Sequence, residues 1–142
     1  MYKGHRSIWL QKFDLHAKKP IGKRVEIVNG GIDISKKPIW IEGPHIFNHK
    51  GYYFLLCAEG GTGIEHSEVI FRSKSIWGPY EPFEDNPILT QRDMPVYRSN
   101  PVTCTSHADF VRTPNGDWVS VFLGCQPYEG EFFNTGRQTF IH

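Results

Sequence analysis

The chain has 142 residues, a one-domain length, with 39% hydrophobic and 22% charged residues. Lys+Arg 16 against Asp+Glu 15 leaves a net charge of +1, which gives no electrostatic case for a nucleic acid or an anionic membrane as partner. No apolar run approaches the roughly 18 residues needed to span a bilayer, and 14% aromatic residues with Gly 14 and Pro 10 favour a turn-rich, all-β chain over long helices.

The dominant period along the chain is two. Ser7–Phe13 has strand composition, and Lys23–Val28 alternates polar and apolar before Asn29-Gly30-Gly31 breaks it. Pro44–Phe47, a turn at Asn48–Gly51 and the apolar run Tyr52–Cys57 predict a hairpin with a buried second strand. Glu68–Ser73 is a further strand. Gly78–Pro101 carries five prolines and reads as a long crossing loop with short strand character at Ile88-Leu89. Ala108–Val111, a turn at Thr113–Gly116 and Asp117–Leu123 form a second hairpin, and no window holds a 3.6-residue apolar stripe.

The two hairpins resemble each other. Each opens on a histidine, His45 or His107, and closes on a glycine, Gly60 or Gly124. Repeated hairpins joined by long loops suggest a β-propeller, with blades of roughly 40–50 residues. On that scale the chain makes about three blades, fewer than a closed propeller needs. The open blade faces would then favour self-association.

The start, MYKGHRSIW, lacks the basic stretch and apolar segment of a secretory signal. Cys57, Cys104 and Cys125 are odd in number and show no C-x-x-C, so they read as reduced, mostly buried thiols. Both features favour a cytoplasmic location. Nucleotide, zinc-protease and serine-hydrolase motifs do not occur. Gly60-Gly61-Thr62-Gly63 lacks the following lysine and helix of a phosphate cradle.

Trp40-Ile41-Glu42-Gly43-Pro44-His45 is the informative stretch. From these six residues alone, Glu42 reads most simply as a turn carboxylate. The longer string changes that: Glu42–His45, then Gly51–Leu56, then Ala58–Thr62 resembles the five-bladed propellers of glycoside hydrolase family 43, the β-xylosidases and α-L-arabinofuranosidases. The likeness extends through His5–Leu10, Arg72–Tyr80, Asn86–Thr90, Ser106–Phe110, Gly116–Trp118 and Gly136–Phe140. It implies an all-β fold, residues 1–142 being part of a single propeller catalytic domain.

The resemblance also implies roles. Glu42 is the general acid that protonates the glycosidic oxygen, a task that calls for a raised pKa. Thr62 lines the sugar pocket, and Arg137 reaches the sugar and the carboxylates. His107 lies near the propeller axis, beside a central cation or its waters; the other reading, a core histidine with both nitrogens satisfied, stays open. The family more often has Gly where Ser106 stands. No cofactor is required, and a central divalent cation such as calcium is allowed. Xylo- or arabino-oligosaccharides are the implied partners. Inverting hydrolysis also needs an aspartate base and an aspartate that tunes the acid. Neither family string occurs here, and Asp33 belongs to the loop leading to Glu42. Three readings therefore remain: part of a hydrolase with little turnover of its own, a carbohydrate-binding fragment, or a structural half that assembles with a complement.

Overall fold

The computed structural model describes residues 1–95 and 97–126 and the backbone of 138–139. Among the described residues it is all-β, with antiparallel pairing throughout and a single 3-10 turn, Ile34–Lys36. None of its helices is long and apolar enough to cross a membrane, among the described residues.

β1 (Ser7–Asp14) and β2 (Lys19–Asn29) form a two-stranded ribbon. The Asp14 carboxylate accepts the amides of His16 and Ala17, both at 2.9 Å, and so closes the turn between them. β2 starts four residues before the predicted Lys23, because Ile21 and Pro20 continue the ladder opposite Lys12 and Phe13.

The central sheet contains β3 (Glu42–His49), β4 (Tyr52–Glu59), β5 (Ser67–Ser73), β6 (Glu81–Pro82) and β7 (Leu89–Thr90). Its order is β3-β4-β5-β6, with β7 also on β5. The β3–β4 turn has two residues, Lys50 and Gly51, with φ of 48° and 77°. Both lie in the left-handed region that two-residue hairpins require, which suits Gly51. The proline-rich loop returns twice to β5, through the two-residue strands β6 and β7.

β8 (Thr103–Arg112) and β9 (Trp118–Cys125) form the third sheet, with β10 (Gln138–Thr139) on β9. Three antiparallel sheets following one another along the chain match the blade arrangement expected of part of a propeller.

β4 is apolar without alternation because it is covered on both faces. Leu55 and Cys57 join Val69 and Phe71 of β5, Ile41, and Ile8, Ile27 and Val28 of the ribbon in one core. Leu56 and Ala58, equally buried, lie on the alternate side of the strand, and β8 packs against β4 and β5. The three cysteines are buried and form no disulfide, as the sequence indicates. Burial pushes Cys125 up to about 11 and raises Cys57 further, so both stay protonated and inert.

Candidate active site

Glu42 is the first residue of β3 and pairs with Ala58 near the end of β4. Antiparallel pairing therefore puts Glu42, the Gly60–Thr62 loop after β4 and the start of β5 at one end of the central sheet. The register slips between Glu42 and His45, and Gly43 there has φ of 57°. The imidazole of His107 lies directly against it. A Cβ on residue 43 would sit 2.9 Å from His107 Cδ2 and 3.1 Å from its Nε2. Glycine thus meets two demands at once, a left-handed backbone and a ring packed on it. The consequence is that His107 lies against the residue next to the one carrying the carboxyl.

The Glu42 carboxylate is ion-paired to Arg6 of the N-terminal segment. The Arg6 guanidinium also stacks over Trp40, 5.4 Å from the ring centroid. Trp40, 41% exposed, packs on Gly61, where any side chain would collide with the ring. Thr62, half-buried, follows Gly61 directly. Glu42, Thr62 and His107 thus come to the same end of the sheet, with Trp40 linking the first two. Arg137 lies outside the described residues.

His107 is the one exposed residue in the stretch Thr103–Ala108, so it is not a core histidine. Of its ring nitrogens, only Nδ1 is hydrogen-bonded among the described residues, at 3.3 Å from Nε2 of the buried His66. His66 Nδ1 is 2.8 Å from the Cys104 carbonyl. A carbonyl only accepts, so His66 Nδ1 carries the proton and its Nε2 accepts. His107 Nδ1 then donates, leaving a lone pair on His107 Nε2. Burial of His66 and partial burial of His107 lower the pKa of both rings, against the Cys104 bond but helped by His107 at His66, and helped by His45 at His107, which keeps both neutral near pH 7.

Sequence reasoning missed four residues here. One is Arg6. The second is His66. Glu59 is the third: it is buried, and its carboxylate accepts the Ile32 amide at 3.0 Å, holding the turn at Gly31. Burial raises its pKa, against the Ile32 bond and the charge of Arg92. The fourth is Glu68, 0% exposed on β5. Its Oε2 accepts from Ser106 Oγ and the Ala108 amide, both at 2.9 Å. Burial pushes it up to about 7, opposed by those two bonds and by the His107 amide. A charge inside the strand Ser67–Ser73 was the available signal. Asp33 is occupied elsewhere: it caps the 3-10 turn, accepting the Ser35 amide at 3.0 Å and the Ser35 hydroxyl at 2.6 Å, and these bonds lower its pKa.

Among the described residues no group of three His, Cys, Asp or Glu is placed to hold a metal. His107 Nε2 offers one ligand toward a cation or its waters. A cavity of about 510 Å³ lined by Phe54, Arg72, Glu81 and Phe83 contains none of Glu42, Thr62 and His107.

Comparison with known proteins identifies the family. The family Glycosyl hydrolases family 43 matches residues 1–142. A "Xylosidase/arabinosidase" of Butyrivibrio fibrisolvens is 39% identical over 140 residues, covering 99% of this chain and 26% of that protein. A "Non-reducing end alpha-L-arabinofuranosidase" of Bacteroides ovatus is 47% identical over 100 residues, covering 70% of this chain and 18% of that protein. Among solved structures, a GH43_12 protein retrieved from a capybara gut metagenome superposes with a TM-score of 0.85 at 50% identity, over 97% of this chain and 25% of that one. The chain therefore spans roughly a fifth to a quarter of the length of the curated relatives it matches. On the strength of the family match over its whole length, the chain belongs to glycosyl hydrolases family 43.

Proposed function

We propose that this chain is part of a glycoside hydrolase that removes terminal β-D-xylosyl or α-L-arabinofuranosyl residues from plant cell-wall oligosaccharides with inversion. Glu42 is its general acid. The observation that carries this reading is the seating of Glu42 beside Gly43, with the His107 ring against that glycine and Trp40 and Thr62 at the same sheet end. The relatives' printed names supply the substrate class.

Glu42 donates its proton to the glycosidic oxygen as the bond to the anomeric carbon breaks. A guanidinium favours the charged carboxylate, so Arg6 must leave Glu42 before donation, and it stabilises the carboxylate once the proton has gone. Thr62 and Arg137 contact the sugar. Water attacks from the opposite face, activated by a second carboxylate about 6.5–9.5 Å away. That base, and the aspartate that tunes the acid, come from other parts of the longer enzyme. By itself the chain keeps sugar-facing groups beside one acid, which favours binding without turnover.

The test is hydrolysis of nitrophenyl β-D-xyloside and α-L-arabinofuranoside by the full-length protein. Glu42→Gln should lower kcat by roughly 10²–10⁴-fold on natural disaccharides. The loss should be smaller on nitrophenyl glycosides, whose leaving group needs little protonation. Equal losses on both would show that Glu42 is not the acid.

A further inference from the structure

Glu68 touches none of the groups assigned to the reaction through its side chain except the segment that carries His107. Its Oε2 takes bonds from Ser106 Oγ and the Ala108 amide, each 2.9 Å long, and these two residues bracket His107. β8 loses its register with β9 at this point, between Thr103 and Ser106 and again between Ser106 and Asp109. The Ala108 amide is therefore satisfied by a carboxylate of β5. Between the two bonds His107 stands at φ of 51°, a backbone region that non-glycine residues hold only when their surroundings over-determine it. The other oxygen, Oε1, is buried and has no hydrogen-bond partner among the described residues. Burying a polar atom this way is unfavourable, and an apolar residue at this place in the strand would avoid it. What Glu68 contributes is thus what Oε2 holds.

The ring of His107 is held separately, by His66 Nε2 at 3.3 Å. Backbone and ring are anchored by Glu68 of β5 and by His66 just before that strand, and the ring comes to rest on Gly43.

We infer that Glu68 is a positioning residue for His107: it fastens Ser106–Ala108 to β5 so that the imidazole stands against Gly43, next to the acid. The inference rests on the reading of Glu42 and His107 as parts of a glycosidase site. Glu68 itself touches no substrate.

The experiment is a set of variants in the full-length protein, assayed for kcat and KM on whichever nitrophenyl glycoside it hydrolyses, with melting curves to verify folding. Glu68→Leu removes the acceptor and should lower kcat by roughly 10²-fold, the loss expected for misplacing a site group by about 1 Å. Glu68→Gln keeps an amide oxygen that accepts both bonds, and its kcat should stay within a few-fold of the parent. Glu68→Leu should cost nothing further in a His107→Ala background, because residues acting through one another are not additive. If Glu68→Leu does not fold, Ser106→Ala removes one bond alone and should lower kcat several-fold in the parent but not with His107→Ala. Unchanged kcat in the folded variant, equal damage from Gln and Leu, or losses that multiply with His107→Ala would each overturn the positioning role. Glu42→Gln and His107→Ala, run alongside, separate the two readings. Strong losses there with none at Glu68 refute the positioning role alone, whereas no loss in either overturns the site and this inference with it.

Discussion

Glu68 makes the stability of this protein depend on pH in a way that can be worked out. Its ordinary value is 4.5 and its folded value about 7. Between those limits the folded protein keeps a proton that the unfolded chain has released. The folded state then binds more protons, so stability falls as pH rises. This contribution is fully present below pH 4.5, declines through the window and is gone above about pH 7. At 1.36 kcal/mol per pKa unit the full change is on the order of 3 kcal/mol. A cost of that size moves Tm by about 2–4 °C per kcal/mol in a unit of 150–250 residues, so roughly 6–12 °C. Glu68→Gln cannot titrate. Melting temperatures of the full-length protein and of Glu68→Gln should be measured from pH 4.5 to 7.5 at one ionic strength. Taking the difference between the two proteins removes the titrations they share. The parent should lose ground steadily relative to the variant as pH rises, and the gap should stop changing above about pH 7. Parallel curves across the window would refute the reasoning, for they would mean that the carboxyl ionises in the folded protein as it does in the unfolded one.

Other outcomes are equally open to measurement. Gly43→Ala places a Cβ 2.9 Å from the His107 ring on a left-handed backbone, which costs roughly 1–2 kcal/mol in the conformation alone; the full-length variant should melt lower and lose kcat, and retention of both would show that the ring does not rest there. Leu55→Ala empties a fully buried site in the core shared by ribbon and sheet and should destabilise by about 2–5 kcal/mol in denaturant titration. The 142-residue chain expressed by itself should self-associate and show little turnover, since Trp9, Phe13, Val111, Val119 and Val121 are exposed on its sheets; a monomer by sedimentation that binds no apolar dye, or robust hydrolysis, would contradict this.

Much of the strand pattern was legible because each strand is short and bounded by turn chemistry. The Tyr52–Cys57 run announced a strand covered on both faces, and β4 is that strand, with Leu55 and Leu56 both fully buried although they lie on opposite sides. The crossing loop was legible as a loop with short strand character at Ile88-Leu89, where β7 begins at Leu89. Its two short strands, β6 and β7, are made by pairing with β5, and two residues carry no periodicity of their own.

Sequence by itself determined the family and the string that holds Glu42, because Glu42-Gly43-Pro44-His45 and its companions are local patterns read in order. Tertiary structure alone decided what surrounds Glu42. Arg6 and Glu42 are 36 residues apart, and Glu68 and Ala108 are 40 apart, yet each pair is in hydrogen-bond contact. No local propensity encodes such a distance; it follows from which sheet packs on which. The role of Glu68 is the clearest case. In the sequence it is a charge in a strand, and only the packing of β8 on β5 turns it into a buried carboxyl bonded to the segment that carries His107.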